Sequence, residues 1–193
     1  MILSVIILAA GQGTRMNSDI PKVFHEVGNH PMIFHVLDLS QKLKAKSTTL
    51  VISKKLDNYK TLLLSKYHHI KFCYQHNQLG TAHAVLEASK NSEIKETDTT
   101  LVLYGDTPAV TFKTLNAALR DFHKKKLDLS VISMIVKDLN NSYGRLLIKK
   151  GKLNKIIEKT EQTSEEKKIQ LCNSGIMIIK TKHLFEKLKK IKN

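Results

Sequence analysis

The feature that most constrains the fold is the alternation of short apolar runs, rich in Val and Ile, with longer amphipathic stretches. Short β-branched runs are typical of buried strands, and the stretches between them are long enough for helices. The predicted strands are residues 2–8, 48–53, 70–74, 100–104 and 130–136, and the predicted helices are 32–43, 56–66, 81–89 and 112–126. Strands separated by helices favour an α/β fold with a mostly parallel sheet covered on both faces.

The pattern changes after residue 143. Residues 145–149 and 153–158, joined by Lys150-Gly151, predict a β-hairpin, and residues 172–180 predict one more strand. The polar stretch 159–168 between them predicts an exposed loop or short helix. A chain of 193 residues with no low-complexity linker and no internal repeat is expected to form a single domain over residues 1–193.

Composition narrows the class of protein. The chain carries a net charge of +15, but few of its basic residues are arginines and the lysines are spread along its length. Nucleic-acid binders concentrate Arg and aromatic residues on one face, so we expect a solvated lysine-rich surface and no specific nucleic-acid partner. No apolar run reaches the roughly 18 residues of a membrane span. Residues 1–10 lack the basic flank of a signal peptide, and Cys73 and Cys172 are expected as buried thiols, so a cytoplasmic location is predicted.

The first predicted strand runs directly into a loop that contains two glycines. It reads Leu8-Ala9-Ala10-Gly11-Gln12-Gly13-Thr14-Arg15-Met16, and Pro21-Lys22 follows a short spacer later. Backbone amides together with the charges of Arg15 and Lys22 suit a nucleoside triphosphate. The P-loop pattern is not present, and Met16 stands at the third glycine position of the dinucleotide fingerprint. The loop therefore predicts a triphosphate site of a different kind.

Two further segments follow predicted strands. Because ligands of open α/β sheets collect at the carboxyl ends of strands, Asp106 of Tyr104-Gly105-Asp106 is expected at the same edge as this loop. There it could hold a divalent cation, or it could cap the next helix. In the second segment, Gln75 offers the donor and the acceptor that a pyrimidine edge requires, whereas Gly80-Thr81 taken alone indicates only a helix start.

Taken in order, these segments resemble one family. Gly11-x-Gly13-Thr14-Arg15 with Pro21-Lys22 is similar to the signature of the nucleoside-diphosphate-sugar pyrophosphorylases. The whole chain resembles the N-terminal pyrophosphorylase domain of the bacterial bifunctional N-acetylglucosamine-1-phosphate uridyltransferases, on Gln75, Gln78-Leu79-Gly80-Thr81, Tyr104-Gly105-Asp106, Tyr143-Gly144-Arg145, Ile157-Glu158 and Asn173-Ser174-Gly175. The resemblance implies a Rossmann-like, mostly parallel sheet with helices on both faces and an added β-hairpin, the nucleotide-diphospho-sugar transferase fold.

The resemblance also implies a role for individual residues. Arg15 and Lys22 would be catalytic, binding the triphosphate and stabilising the leaving pyrophosphate, and Asp106 would ligate Mg²⁺. The residues implied to bind the nucleotide or UDP-sugar are Leu8, Ala9, Ala10, Gly11, Lys22, Gln75, Gly80, Thr81, Tyr104, Gly105, Asp106, Gly144, Glu158 and Asn173. Of these, Gln75, Gly80 and Thr81 would surround the uracil, and Gly144, Glu158 and Asn173 would hold the amino sugar.

The implied reaction is Mg²⁺-dependent uridylyl transfer from UTP to N-acetylglucosamine 1-phosphate, which gives UDP-N-acetylglucosamine and pyrophosphate. An ionised phosphate nucleophile needs no general base, so catalysis would rest on positioning and on charge neutralisation. Two alternatives stay open at this point: a nucleotidyltransferase with another base or sugar, and a nucleotide-sugar-binding remnant with little or no turnover.

The second alternative follows from where the match to the family stops. The family domain continues into a Glu-x-Tyr-Tyr-x-Thr-Asp segment and a later Asn that completes its metal site, and neither is present here. We therefore expect a domain incomplete at its C-terminal end, without the left-handed β-helix that carries acetyl transfer in the full enzymes.

Overall fold

The computed structural model describes residues 2–13 and 16–190. The chain divides into two compact units: the first unit comprises Met1–Ser130 and Ile178–Asn193, and the second unit comprises Val131–Met177. That the chain folds as one domain stays a prediction.

The strands and helices are short, and several 3-10 turns lie between them. The strands are β1 (Leu3–Leu8), β2 (Glu26–Val27), β3 (His30–Pro31), β4 (Ser47–Ile52), β5 (Ile70–Tyr74), β6 (Thr99–Tyr104), β7 (Leu129–Ile135), β8 (Arg145–Lys149), β9 (Lys152–Ile157) and β10 (Leu171–Lys180). The helices are α1 (Met32–Lys42), α2 (Lys60–Lys66), α3 (Thr81–Glu87), α4 (Phe112–Lys124) and α5 (Thr181–Leu188).

The first unit contains a parallel sheet with the strand order β5-β4-β1-β6. Every residue of β1 is buried, which requires cover on both faces of the sheet and explains why its sequence is uninterrupted by polar residues other than Ser4. The strand order reverses direction at β1, since β4 lies on one side of it and β6, which comes much later in the chain, lies on the other. The crevice at such a switch point is where open α/β sheets bind ligands.

Local sequence determines where helix α4 begins and which face of it is buried. The hydroxyl of Thr111 accepts a hydrogen bond from the Thr114 amide at 3.2 Å, which satisfies a free donor of the first turn. Leu115, Leu119 and Phe122 recur at helical spacing and are buried, while the remaining faces carry lysines and polar residues. The predicted helix over residues 112–126 is thereby confirmed to within two residues.

The second unit is antiparallel. Strands β8 and β9 form the predicted hairpin, β10 pairs with β8 through Cys172 opposite Arg145, and β7 pairs with β10. The stretch 159–168, predicted as a loop or short helix, holds two 3-10 turns, Lys159–Glu161 and Glu166–Lys168. The α/β, mostly parallel class predicted from the sequence is confirmed, with the added hairpin.

Several boundaries differ from the predictions. Residues 56–66 do not form one helix, because a 3-10 segment (Lys54–Tyr59) precedes α2, and residues 81–89 divide into α3 and a 3-10 turn at Ala88–Lys90. Helix α5 was not predicted; it is short and rich in lysine and is held through the buried side chains of Leu184 and Phe185. Among the described helices, none is long and apolar enough to cross a membrane.

Candidate functional site

A cleft of about 610 Å³ opens at the carboxyl ends of β1 and β6 and at the start of α3, all within the first unit. Predicted site residues that line it are Leu8, Ala9, Ala10, Gly11, Lys22, Gln75, Gly80, Thr81, Tyr104 and Asp106. Further lining residues, to which sequence reasoning assigned no role, are Gln12, Gly13, Met16, Val23, Gln78 and Ala84. Arg15 falls outside the described residues, so its predicted role stays a prediction.

The loop after β1 carries a glycine whose geometry positions a lysine. Gly13 has a φ of +63°, which a residue with a side chain rarely adopts. A Cβ added to Gly13 would lie 2.9 Å from the Lys22 Cβ, so the loop backbone packs directly on the base of that lysine side chain. Only glycine permits both the turn and this close approach.

Lys22 and Asp106 form an ion pair in the cleft. The Lys22 Nζ lies 2.5 Å from the Asp106 Oδ2, and the two side chains are 39% and 25% exposed. Asp106 does not cap a helix, since α4 begins six residues later and Thr111 caps it. The alternative of a capping carboxylate is therefore wrong, and Asp106 is left facing the cleft with a lysine as its partner.

Gly105 positions Asp106 rather than lining the cleft. Its amide donates to the Leu8 carbonyl at 2.9 Å, which continues the β1–β6 pairing one residue past the strands. A Cβ at this position would come within 2.9 Å of the Ile33 Cδ1 and 3.3 Å of the Ala9 Cβ. A larger residue would push the end of β6 away from α1 and β1, and Asp106 with it.

The far side of the cleft is built by the segment between β5 and α3. Gln75, 6% exposed, donates a side-chain amide hydrogen to the Gly80 carbonyl at 3.1 Å, and Gly80, with a φ of +98°, directly precedes α3. The Gln78 side-chain amide donates to the Ala10 carbonyl at 2.9 Å and so ties this segment to the loop after β1. Gln78 belongs to the Gln-Leu-Gly-Thr signature, which was the one sequence signal for it.

The residues that were predicted to hold the amino sugar lie together in the second unit. The backbone N–H of Asn173 donates to the Gly144 carbonyl at 2.8 Å. A Cβ on Gly144 would come within 3.1 Å of the Glu158 Oε1, so glycine leaves room for that carboxylate. In the second unit, Gly144 therefore lies beside the Glu158 carboxylate and pairs through its backbone with Asn173, and the role of these residues in binding a sugar stays a prediction.

The donor set for a divalent cation is small. Within residues 2–13 and 16–190, no group of three or more His, Cys, Asp and Glu side chains is arranged to hold a metal ion. Asp106 is the one carboxylate among the described residues of the cleft lining. Magnesium is commonly held by one or two carboxylates, substrate phosphates and water, so Asp106 fits such an ion when a phosphorylated ligand supplies the remaining oxygens.

Comparison with known proteins gives a consistent result. The model of the MobA-like NTP transferase domain matches residues 5–168. The bifunctional protein GlmU of Bartonella bacilliformis is 36% identical over 188 residues, which is 97% of this chain and 41% of the relative. GlmU of Buchnera aphidicola subsp. Acyrthosiphon pisum is 39% identical over 188 residues, 97% of this chain and 39% of the relative.

The similarity to solved structures concerns the fold. A UDP-glucose pyrophosphorylase, whose structure is in complex with UDP-glucose, superposes with a TM-score of 0.74 at 19% identity, covering 100% of this chain and 81% of that one. The resemblance inferred from the sequence motifs is confirmed by the curated relatives. The chain spans about 41% of the length of the first of them.

Proposed function

Because this chain belongs to the MobA-like NTP transferase family, we propose that it transfers a uridylyl group from UTP to N-acetylglucosamine 1-phosphate in a magnesium-dependent reaction. The products are UDP-N-acetylglucosamine and pyrophosphate. The observation that carries the proposal is the Lys22–Asp106 pair, set at the switch point of the sheet beside the loop after β1. The curated relatives support the choice of a sugar-nucleotide product.

Triphosphate binding at the proposed site depends on the positive charge of Lys22 and on the backbone of the loop after β1. Lys22 carries an ammonium into the cleft, and the loop from Gly11 to Gly13 lines the same cleft, with glycines on both sides of Gln12. An ammonium close to the β- and γ-phosphates stabilises the negative charge that develops on the leaving pyrophosphate. Arg15, two residues beyond Gly13, is proposed to contribute a second positive charge.

The chemical step exchanges one phosphoanhydride bond for another. An oxygen of the sugar phosphate attacks the α-phosphorus of UTP, a new P–O bond forms, and the bond from the α-phosphorus to the bridging oxygen breaks with its electron pair going to pyrophosphate. The nucleophile is ionised at neutral pH, so no proton has to be removed. The protein contributes orientation of the two phosphates and neutralisation of their mutual repulsion.

Asp106 is the residue proposed to hold Mg²⁺, together with phosphate oxygens of the substrate. When bound, the ion would supply charge neutralisation at the α-phosphate. The Asp106 carboxylate pairs with Lys22. Asp106 would hold the cation of a metal–triphosphate complex, and Lys22 would bind its phosphates.

The second unit carries the residues that are proposed to bind the sugar phosphate. Glu158 offers a hydrogen-bond acceptor for sugar hydroxyls, and the Asn173 side chain offers an amide. The Asn173 Oδ1 already accepts the Gly175 amide at 2.8 Å, which leaves the amide hydrogens of Asn173 available to a ligand. A donor and an acceptor together match the hydroxyl and acetamido groups of N-acetylglucosamine.

The test is pyrophosphate release by the chain from UTP, N-acetylglucosamine 1-phosphate and Mg²⁺. CTP, GTP and dTTP, and glucose 1-phosphate as acceptor, are measured in parallel. We expect turnover with UTP and N-acetylglucosamine 1-phosphate and a loss of at least about a hundredfold in Asp106→Asn. The matched control is Asp121→Asn, which removes an exposed carboxylate paired with Lys125 on α4 and should leave turnover unchanged.

Three outcomes contradict the proposal in different ways. Turnover with another nucleotide or acceptor in place of these would assign the chain to a different transferase. Binding of UDP-N-acetylglucosamine without turnover would make it a nucleotide-sugar-binding remnant. Equal activity in Asp106→Asn and the wild type would remove the proposed role of the Lys22–Asp106 pair.

A further inference from the structure

The side-chain amide of Gln75 contacts His83, a residue that does not line the cleft. The Gln75 Nε2 lies 3.1 Å from the Gly80 carbonyl oxygen and 3.1 Å from the His83 Nδ1. A carbonyl oxygen can only accept, so one amide hydrogen points to Gly80. The reverse orientation of the amide would set two acceptor oxygens against each other, which fixes Nε2 on this side.

The second amide hydrogen of Gln75 requires an acceptor atom on the His83 ring. The contact between His83 and Glu87 explains why the Nδ1 of His83 can be that acceptor. The His83 Nε2 lies 3.3 Å from the Glu87 Oε1, one turn further along α3. A carboxylate accepts, so Nε2 carries a hydrogen. In the neutral imidazole Nδ1 then keeps a lone pair, which accepts the second amide hydrogen of Gln75. The other oxygen of Glu87 pairs with Lys90.

This chain of contacts is sheltered. The side chains of His83 and Glu87 are 18% and 17% exposed, and Gln75 is 6% exposed as a residue. Partly desolvated hydrogen bonds with one consistent donor–acceptor order hold a side chain more firmly than exposed ones. Both hydrogens of the Gln75 amide are used, so its Oε1 is the polar atom left for a ligand in the cleft.

We infer that His83, held by Glu87, is a positioning residue that presents the Gln75 Oε1 as an acceptor and so selects a pyrimidine with a hydrogen on ring nitrogen N3. Uracil carries that hydrogen. Cytosine has a lone pair at the same atom, which would face the Gln75 oxygen as a second acceptor. The inference rests on the proposed function for the identity of the ligand, and it adds the side chains that set base preference from outside the cleft.

The experiment compares the binding of UTP and CTP to the full chain by calorimetry in the presence of Mg²⁺. His83→Phe keeps a ring but removes the acceptor, and we expect the ratio of UTP to CTP affinity to fall by about tenfold, the value of one hydrogen bond. His83→Asn places an amide oxygen close to the position of Nδ1 and should preserve the ratio. Glu87→Ala should lower it in the same direction as His83→Phe, because the tautomer is no longer fixed.

Two readouts separate positioning from a general loss of structure. In turnover, the change in His83→Phe should fall on the KM for UTP, with kcat and the KM for the sugar phosphate retained. The matched control His68→Phe replaces an exposed histidine and should change neither quantity. If His83→Phe fails to fold, His83→Asn and Glu87→Ala carry the comparison.

The inference is overturned if the UTP to CTP ratio is unchanged in both His83→Phe and Glu87→Ala, or if His83→Asn loses as much as His83→Phe. Binding does not require turnover, so the two proposals fail separately. A wild type that prefers UTP but releases no pyrophosphate contradicts the uridylyl transfer alone. A wild type that turns over UTP while the variants keep its preference contradicts the role of His83 alone, and a wild type that binds neither nucleotide contradicts both.

Discussion

The Nζ of Lys22 lies 2.5 Å from the Oδ2 of Asp106, although the two residues are 84 positions apart in the chain. Lys22 begins the 3-10 turn Lys22–Phe24, and Asp106 lies two residues past the end of β6. Their contact joins the two strand-end segments that flank the switch point of the sheet.

Lys22→Met should lower kcat/KM for UTP by at least about a hundredfold, because it removes the described ammonium of the cleft. It should change the free energy of unfolding by no more than about 1 kcal/mol, since both partners are partly exposed and such pairs contribute little to stability. Steady-state kinetics and urea unfolding measure the two effects. A variant that loses its fold and its activity together would assign Lys22 to stability instead.

Gly13→Ala should lower both stability and activity. The φ of +63° costs a residue with a Cβ about 1–2 kcal/mol, and the new methyl group would lie 2.9 Å from the Lys22 Cβ and displace that side chain. Gly28→Ala is the matched control, because Gly28 has a φ of +60° and open space around its Cβ. Both variants should be destabilised, Gly13→Ala more than Gly28→Ala because of its close contact with the Lys22 Cβ, and only Gly13→Ala should bind UTP more weakly. Equal affinity in both would contradict a role for the Gly13–Lys22 contact.

Arg145→Lys should destabilise the second unit by about 3 kcal/mol. Arg145 is 0% exposed, and its guanidinium donates to the Asn141 Oδ1 at 2.6 Å and to the Leu139 carbonyl at 3.0 Å, with no carboxylate among its described partners. A lysine keeps the buried charge but lacks the planar fork that serves these acceptors. Arg120→Lys on the exposed face of α4 is the control and should stay within about 0.5 kcal/mol of the wild type in thermal unfolding. Equal unfolding temperatures for the two variants would contradict the prediction.

Tyr67 should make the protein sensitive to alkali. Burial raises the pKa of the Tyr67 phenol, and its hydrogen bond to Asp38, 2.6 Å long, raises it further. The unfolded chain releases this proton above about pH 10 while the folded chain keeps it, so stability is complete below about pH 10 and falls as the pH rises, by up to about 1.4 kcal/mol per pH unit.

Tyr67→Phe should remove that part of the slope when the free energy of unfolding is followed from about pH 9 to about pH 11. Its stability at neutral pH should be lower, because Asp38 loses its hydrogen-bond donor. Tyr143→Phe, at a residue 47% exposed, is the control and should retain the slope of the wild type. A slope that is the same in all three proteins would contradict the prediction.

Local sequence was sufficient for the strands of the first unit. Each is rich in β-branched and apolar residues, and the predicted 70–74 coincides with β5. Strands β1 and β6 differ from their predictions by one residue at one end, and β4 differs by one residue at each end. Elements stabilised mainly by their surroundings were not predicted. The two-residue strands β2 and β3 are too short to show a periodic pattern, and the buried apolar residues of α5 are only Leu184 and Phe185.

The α/β class, the family and the segments that carry the candidate site follow from local sequence, because strand periodicity and the Gly11–Arg15 and Tyr104–Asp106 motifs are local in the chain. Local sequence also places Asp106 at the edge of the sheet where β1 ends, since parallel strands share their carboxyl edge. Three contacts follow from tertiary packing: the pairing of Lys22 with Asp106, the packing of Gly13 on Lys22, and the order Glu87–His83–Gln75. The first joins segments that are far apart in the chain, and the second is a steric fit. The third depends on which hydrogen each neighbouring side chain leaves free, and residue types and spacing do not encode this.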